Sequence, residues 1–368
     1  MPKSPIKMLV AAAAAVMAFG AVPASAQDVD PNLAPSWEFM QQAMPGVSYD
    51  LLKAACAEGS LLIYHGSWVE AQDAQIEGFR KRFPCIQVQK FSSTMGELRE
   101  RFLSEARANR PSADIYQDSD TGTLNKFIKE GLLAEYKISN DDAFADSAKN
   151  SGYWYSLRVA LVGVAWNTDL VSPEDAAILS DWKGLLDPRW KDKGIVVDPS
   201  AGGVAYLPWF VWDRVYGDDF LKGIGAQNPR IVSGINNAAA SLASGDVAII
   251  FNASETGLLP LWEKGAPIQW SLPSPGVGPL TGEAIPANAP HPNAARLYQE
   301  YAFTEEGYTL WHKLGGAATR KGLKDQRAVA SEPWYKIPDE LYAYDPADAT
   351  SSTPAVVAKF NEFVGTGK

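Results

Sequence analysis

The stretch that most constrains the fold is Gly59–Trp68, GSLLIYHGSW. Its apolar residues Leu61–Tyr64 end at a His-Gly-Ser-Trp sequence, after which apolar residues recur at helical spacing. This pattern is typical of a buried parallel strand that leads into a helix. In an open α/β sheet, ligands bind beyond the carboxyl ends of such strands, near helix N-termini. We therefore expect His65, Ser67 and Trp68 to line a binding site.

The N-terminus has the three parts of a secretory signal. Lys3 and Lys7 precede an apolar run, Met8–Val22, and the small residues Ala24 and Ala26 follow it. A transmembrane anchor would need about 20 apolar residues, whereas the Ala-x-Ala ending fits signal peptidase. The sequence therefore predicts export and cleavage after Ala26.

The exported chain would be acidic. Cleavage removes two of the 33 Lys and Arg residues and none of the 43 Asp and Glu residues, so the formal net charge becomes 31 − 43 = −12. An acidic, dispersed surface argues against nucleic acid or anionic lipid as a partner. The charge of a small ligand depends on its local site instead.

The two cysteines lie just before the first two predicted strands. Adjacent parallel strands would bring Cys56 and Cys85 close together, so a disulfide is favoured in an oxidising compartment, with two buried thiols as the alternative. His65, His291 and His312 are scattered, without the Cys/His spacing of a zinc site. We therefore expect no metal site and no cofactor.

Strand and helix patterns alternate along the chain. Three successive β–α units in the first part predict one doubly wound lobe. The β-type run Tyr153–Asn167 is too long for one strand of a lobe, and we interpret it as a crossing between two lobes. The polar, Pro-containing segment Asp28–Pro45 before them is expected to be loosely held.

Polar residues recur where strands end and helices begin. Each cluster alone is more often an ordinary cap or turn, but their presence in both halves of the chain indicates a ligand site with hydroxyl and backbone donors. The residues that we expect to bind the ligand from these clusters are Ser93, Asp118, Ser119, Ser200, Gly202, Asn252, Ser254 and Glu255.

Arg158 lies within the apolar crossing run. An arginine there needs either a buried carboxylate or an anionic ligand group, and the sequence leaves both open. No P-loop, Gly-x-Ser-x-Gly, His-Glu-x-x-His or Gly-x-Gly-x-x-Gly motif is present, and nothing fixes a carboxylate pair at catalytic separation. We therefore expect no enzyme activity.

The chain resembles the periplasmic solute-binding proteins of bacterial ABC importers. The resemblance rests on segments such as PSADIYQDSDTGTLNKFIKEGLLAEY and DWKGLLDPRWKDKGIVVDPSAGG. The ferric-ion-binding cluster, whose relatives bind polyamines, thiamine, phosphonates and sugar phosphates, is the branch it resembles most. The resemblance implies an α/β fold of two doubly wound lobes, type II-like, which are joined by crossing strands and close on a ligand. Lobe 1 would comprise residues 27–160 and 280–312, and lobe 2 residues 161–279 and 313–368.

The ferric branch places a His after the first strand, a Glu after the third and a Tyr pair after the strand matched here by Ala248–Asn252. In this sequence Ser254 and Glu255 stand at the tyrosine pair, Ser119 lies near the Glu position, and His65 is offset. The resemblance therefore does not carry over the phenolate ligands of ferric iron.

Two other family positions do match. Ser200 and Gly202 correspond to the anion-contacting helix start, and Arg158 lies close to the basic crossing position. The preferred ligand is therefore a small anionic or zwitterionic solute. Trp68 would stack on it, and Glu255 or Asp118 would take an amino group.

Three alternatives stay open. A polyamine or thiamine-like cation could be boxed by acidic residues and Trp68, a metal carrier could use His65 and Glu255, and an exported hydrolase is the outsider. The resemblance further implies a periplasmic location, a membrane permease as partner, a monomer and no nucleic acid.

Overall fold

The computed structural model describes residues 29–66, 69–338 and 341–365. These residues form α-helices and β-strands in alternation over most of the chain. The helices are α1 (Ala34–Ala43), α2 (Tyr49–Glu58), α3 (Val69–Arg82), α4 (Met95–Arg107), α5 (Thr121–Lys129), α6 (Pro173–Ala176), α7 (Gly203–Tyr216), α8 (Asp218–Ala226), α9 (Ile235–Ala243), α10 (Glu255–Trp262), α11 (Pro292–Ala302), α12 (Glu305–His312) and α13 (Pro346–Phe363). The strands are β1 (Ser60–His65), β2 (Gln87–Ser92), β3 (Ile115–Asp118), β4 (Lys149–Asn150), β5 (Trp154–Val159), β6 (Val162–Asn167), β7 (Gly194–Val197), β8 (Arg230–Val232), β9 (Ile249–Ser254), β10 (Ile268–Ser271) and β11 (Leu280–Ala284).

The first lobe is built on a six-stranded sheet of order β2-β1-β3-β11-β5-β4. β1 pairs in parallel with β2 and β3, and the later strand β11 inserts antiparallel between β3 and β5. The parallel strands are connected through α3 and α4, so their carboxyl ends meet at one edge of the sheet.

The second lobe is built on a five-stranded sheet of order β10-β6-β9-β7-β8. β7 pairs in parallel with β8 and β9, while β6 is antiparallel to β9. The long β-type run breaks at Ala160 and Leu161, so β5 belongs to the first sheet and β6 to the second. The predicted crossing and the two-lobed α/β fold are confirmed.

The chain passes between the lobes again near its C-terminus. Ala317 pairs with Val159 of the first lobe, whereas Val329 and Tyr335 pack into the core of the second. The region after α12 therefore contacts both lobes, and the predicted lobe boundaries stay a prediction.

The segment before the first strand is packed, not loosely held as expected. α1 buries Phe39 and Met40 in the core of the first lobe, and the Phe39 ring contacts Phe83 and Tyr301. The predicted disulfide between Cys56 and Cys85 is present, with the two Cα atoms 5.2 Å apart. The chain that precedes the sheet is thereby held to α11 through Phe39 and Tyr301 and to the turn before β2 through the disulfide.

No helix among the described residues is long and apolar enough to cross a membrane. The predicted signal segment, residues 1–26, lies outside the described residues.

Candidate functional site

The first group of predicted site residues lies at the carboxyl ends of β1 and β2. His65 and Ser92 are register partners, and the imidazole Nε2 of His65 lies 2.6 Å from the Ser92 hydroxyl. His65 is fully buried, so this imidazole is part of the sheet edge and not an exposed ligand arm. Ser93 follows on the surface, where its hydroxyl donates to the Glu97 carboxylate at the start of α4.

Asp118 ends β3 at the same edge and is fully buried. Arg99 of α4 donates to its carboxylate at 2.8 Å, as do the hydroxyl of Tyr116 at 2.8 Å and the amide of Asp120 at 2.9 Å. Burial raises the pKa of Asp118, although the Arg99 guanidinium opposes the rise. Ser119 is the next residue and is partly exposed.

Arg158 lies on β5, directly before the last residue of the strand, and pairs with Thr281 of β11. Its side chain is buried, and this burial lowers the pKa of the guanidinium to about 10. A buried positive charge is therefore fixed where the chain leaves the first lobe for the second. An anionic group brought next to it would offset part of the desolvation cost.

Ser200 and Gly202 lie in the turn between β7 and α7. The Asp198 carboxylate accepts from the backbone amide of Ser200 at 2.7 Å, and Gly202 has a positive φ of 73°, which turns the chain into the helix. Such a backbone angle is favourable only for glycine. The helix start is thereby fixed in place, and the N–H groups of a first helical turn can receive an anion.

Asn252 of β9 is fully buried and its amide works within the second sheet. Its oxygen accepts from the backbone N–H of Val197 at 2.8 Å, and its nitrogen donates to the carbonyl of the same residue at 3.0 Å. The amide thus extends the pairing of β9 with β7 beyond the backbone ladder. The oxygen and the nitrogen of this amide are therefore both hydrogen-bonded within the second lobe.

Ser254 and Glu255 join β9 to α10, and both are buried. The Ser254 hydroxyl lies 2.8 Å from the hydroxyl of Thr256. The Glu255 carboxylate accepts from the Arg327 guanidinium at 3.1 Å and from the hydroxyl of Tyr335. Glu255 therefore has an arginine partner from the C-terminal part of the chain.

Arg327 connects Glu255 to a longer chain of charges. The Asp325 carboxylate accepts from the other Arg327 nitrogen at 2.7 Å, and His312 of α12 lies 2.9 Å from Asp325. Burial would raise the pKa of Asp325, but hydrogen bonds from His312 and Arg327 hold it well below its usual value. This network, Glu255–Arg327–Asp325–His312, joins a helix of the second lobe to a helix of the first.

Two comparisons place the chain among known proteins. The family model described as bacterial extracellular solute-binding protein matches residues 74–337, which is more than half of the chain. The chain belongs to this family. The predicted resemblance and the predicted solute-binding role are confirmed.

Solved structures of similar fold include several periplasmic and ferric-binding proteins. Iron-bound HitA from Pseudomonas aeruginosa matches with a TM-score of 0.65 and 20% identity, over 82% of this chain and 99% of that chain. AfuA from Actinobacillus pleuropneumoniae, solved with fructose-6-phosphate, gives 0.59 and 19% over 84% and 99%. FutA from Trichodesmium, in complex with iron and citrate, gives 0.67 and 17% over 83% and 99%. These matches support the two-lobed fold of this solute-binding protein.

Not every predicted site residue of this solute-binding protein can be placed. Ser67 and Trp68 lie outside the described residues. His65 and Asp118 lie on one edge of the first sheet, Ser254 and Glu255 at a strand end of the second, and Arg158 directly before the crossing that joins the two sheets. Within the described part of the chain, no group of three or more His, Cys, Asp or Glu residues could hold a metal ion.

Sequence reasoning missed the partners of the predicted acids. Arg327 lies 72 residues from Glu255 and Tyr335 lies 80 residues from it, so no local pattern pointed to either. Arg99 could have been found, because it lies on the helix between β2 and β3 and Asp118 ends β3. Both carboxylates are thereby neutralised by arginines of the protein itself.

Proposed function

We propose that this solute-binding protein captures a small anionic or zwitterionic organic solute between its lobes and delivers it to an ABC-importer permease. The observation that carries the choice of charge is the pairing of the acids near the proposed cleft. Asp118 is bound by Arg99 and Glu255 by Arg327. A cationic ligand would have to compete with these arginines for the two carboxylates. An anionic ligand would not, and it could bind near the buried guanidinium of Arg158.

Arg158 supplies the proposed counter-charge. Its guanidinium is buried at the crossing, and burial already lowers its pKa, so an anionic ligand group there would stabilise the charged form. The helix start at Ser200–Gly203 would add backbone N–H donors from the second lobe. Closure of the lobes would bring the two together, and the permease would bind the closed form.

Ferric iron is the second candidate, because HitA and the Trichodesmium FutA were solved with iron. Here the position expected for a tyrosine pair is occupied by Ser254 and Glu255, and the Glu255 carboxylate is bound to Arg327 and Tyr335. A metal would have to displace that arginine. We therefore favour the organic anion and keep iron as an arm of the test.

The remaining parts of the proposal concern location, partners and oligomeric state. The family is extracellular, which supports export; the periplasmic location and cleavage after Ala26 are proposals. The net charge of −12 after cleavage supports the absence of nucleic acid among its partners. We further propose that the protein acts as a monomer and releases its ligand unchanged.

Thermal unfolding of residues 27–368 against a panel of solutes tests the proposal. The panel contains a sugar phosphate, a phosphonate, an amino acid, spermidine, thiamine and ferric citrate. A ligand at 100 times its Kd stabilises the folded state by about 2.7 kcal/mol, a shift of several degrees. We expect a saturable shift with an anionic or zwitterionic solute, and recovery of that solute unchanged by mass spectrometry.

The variant Arg158→Gln should weaken that binding at least tenfold by calorimetry, whereas Arg158→Lys should retain part of it. The matched control is Arg214→Gln, which removes an exposed arginine of the second lobe. Unchanged affinity in a folded Arg158→Gln protein, or a shift with spermidine, thiamine or ferric iron alone, contradicts the proposal.

A further inference from the structure

A cavity of about 390 Å³ lies beside the crossing strands, away from the His65 and Glu255 strand ends. The first lobe forms one wall through α5 and the region of β4 and β5. The chain segment 341–346, which leads into α13, forms the other wall. Its volume lies within the range of small-molecule binding sites.

The segment 341–346 is fixed to both lobes. The backbone amide of Tyr342 donates to the carbonyl of Gly276 at 2.8 Å, on the connection between β10 and β11. The ring of Tyr344 packs against Phe210 of the second lobe. Pro346 lies against Gly122 at the start of α5. The cavity therefore has a fixed wall on each side.

The side-chain amide of Asn125 lines the cavity and is oriented by two hydrogen bonds to its oxygen. The side-chain oxygen of Asn125 accepts from the indole nitrogen of Trp154 at 2.9 Å and from the amide of Asn150 at 3.2 Å. These two bonds place the Asn125 nitrogen on the opposite side. That nitrogen has no hydrogen-bond partner within the described residues, so it can donate to a ligand oxygen.

Aromatic rings supply the apolar surface. The Trp154 ring packs over Gly282 of β11, where a Cβ would lie 3.2 Å from the ring. Tyr342 and Tyr344 line the cavity from the other wall. Burial, with the nearby Asp120 charge, raises the pKa of Tyr344 to about 12, and its hydroxyl forms no hydrogen bond with any described residue. Rings combined with unused hydroxyl and amide groups suit a ligand that has both apolar and hydroxylated faces.

The charged residues that line the cavity are either paired within the protein or exposed to solvent. Lys149 is held by the Asp141 carboxylate at 2.8 Å, and Asp146, the other charged lining residue, is exposed. Neither group is a buried counter-charge directed at a ligand, so the polar contacts of the cavity come from its amide and hydroxyl groups. The aromatic rings would also suit an organic cation, and choline is therefore one arm of the test.

We propose that this cavity binds an uncharged polyhydroxylated ring, of the size of a monosaccharide or cyclitol. The ring would pack on the aromatic side chains, accept from Asn125 and exchange hydrogen bonds with Tyr344. The site is separate from the anion site proposed above, because it uses neither Arg158 nor the helix start at Ser200–Gly203.

Ligand-observed saturation-transfer NMR and calorimetry with D-glucose and myo-inositol test the proposal on residues 27–368. We expect saturation transfer to at least one of the two probes. Asn125→Asp keeps the acceptor for Trp154 but removes the donor, and Tyr344→Phe removes only a hydroxyl; each should weaken binding at least fivefold. Tyr216→Phe, at the C-terminal end of α7 and outside the cavity lining, is the matched control and should leave affinity unchanged.

Arg158→Gln separates this site from the anion site. Glucose or inositol binding should survive that substitution, while binding of the anionic solute is lost. No saturation transfer with either probe, affinity unaffected by both cavity variants, or binding of choline or inorganic phosphate at this cavity in their place would overturn the proposal.

Discussion

Two buried glutamates, Glu255 and Glu283, are accommodated in opposite ways. Glu255 is ion-paired with Arg327 at 3.1 Å, within a network that reaches Asp325 and His312. Glu283 lies on β11 in the first lobe, fully buried, where Gln117 donates to it at 2.8 Å. Burial raises the pKa of Glu283 to about 8, so it holds its proton at neutral pH.

The difference shows that burial alone does not assign a role to an acid. A buried carboxylate is stable either beside an arginine, as an ion pair, or as the neutral acid. The first arrangement holds the carboxylate through a charged partner. The second makes the stability of the fold depend on pH, because the unfolded chain releases the proton that the folded chain keeps.

The largest effect is expected from Arg327→Gln. Its removal leaves Glu255 and Asp325 as buried charges without their common partner, which costs about 3–5 kcal/mol in the free energy of unfolding. Urea denaturation followed by tryptophan fluorescence measures the loss. It should be larger for Arg327→Gln than for the double variant with Glu255→Gln, since the second change removes one of the unpaired charges.

Arg214→Gln is the control for Arg327→Gln. Arg214 pairs with Asp348 at 3.0 Å on the surface, where both side chains are over 40% exposed. Exposed ion pairs contribute about 0–1 kcal/mol. Equal losses for the two arginine variants would mean that the network does not hold its charges as a buried unit.

The second expected effect concerns Glu283→Gln. The pKa of Glu283 is raised in the folded state, so its cost is absent below the unfolded pKa near 4.5 and grows as the pH rises to about 8. The amide keeps the shape of the neutral acid and cannot ionise. The variant should therefore be more stable than the wild type at pH 8, by on the order of 4 kcal/mol, and equal to it near pH 4.

Urea titrations at pH 4, 6 and 8 check this pH dependence. Glu38→Gln, which replaces an exposed acid of α1 in the same lobe, should give no such trend. A stability difference between Glu283→Gln and the wild type that stays constant from pH 4 to pH 8 would show that Glu283 is ionised in the folded protein.

The sequence predicted what depends on local pattern. The apolar run of β1 and the acids at the end of β3 fall where the strand ends were expected, and the run around Arg158 crosses between the sheets. The polar character of α1 concealed its buried face, because only a few residues, Phe39 and Met40 among them, turn inward. Hydrophobic periodicity over so short a helix is a weak signal.

Pairing across long sequence separation was not predictable in the same way. Glu255 was expected to bind a ligand amino group. No residue pattern near it in sequence indicated that Arg327 or Tyr335 would be its partner. The cavity wall at Tyr342 and Tyr344 forms because the C-terminal segment packs back against both lobes. Local hydrophobic periodicity in a single sequence does not predict this packing. The partner of a predicted acid is therefore easiest to find from sequence where it lies on an adjacent helix or strand, as Arg99 does for Asp118.

The smallest effect should come from Tyr335→Phe, which removes a hydroxyl bound to both Glu255 and Arg327 and leaves their ion pair in place. The hydroxyl donates to the Glu255 carboxylate and accepts from Arg327, while the bonds from Arg327 to Glu255 at 3.1 Å and to Asp325 at 2.7 Å remain after it is removed. A hydrogen bond to a charged group contributes about 1.5–3 kcal/mol, and the retained ion pairs limit the loss to about 2 kcal/mol. Urea denaturation beside Tyr216→Phe measures it. A loss as large as that of Arg327→Gln would mean that the hydroxyl holds Glu255 as strongly as the guanidinium does, and the contrast with Glu283 would then rest on hydrogen bonding alone.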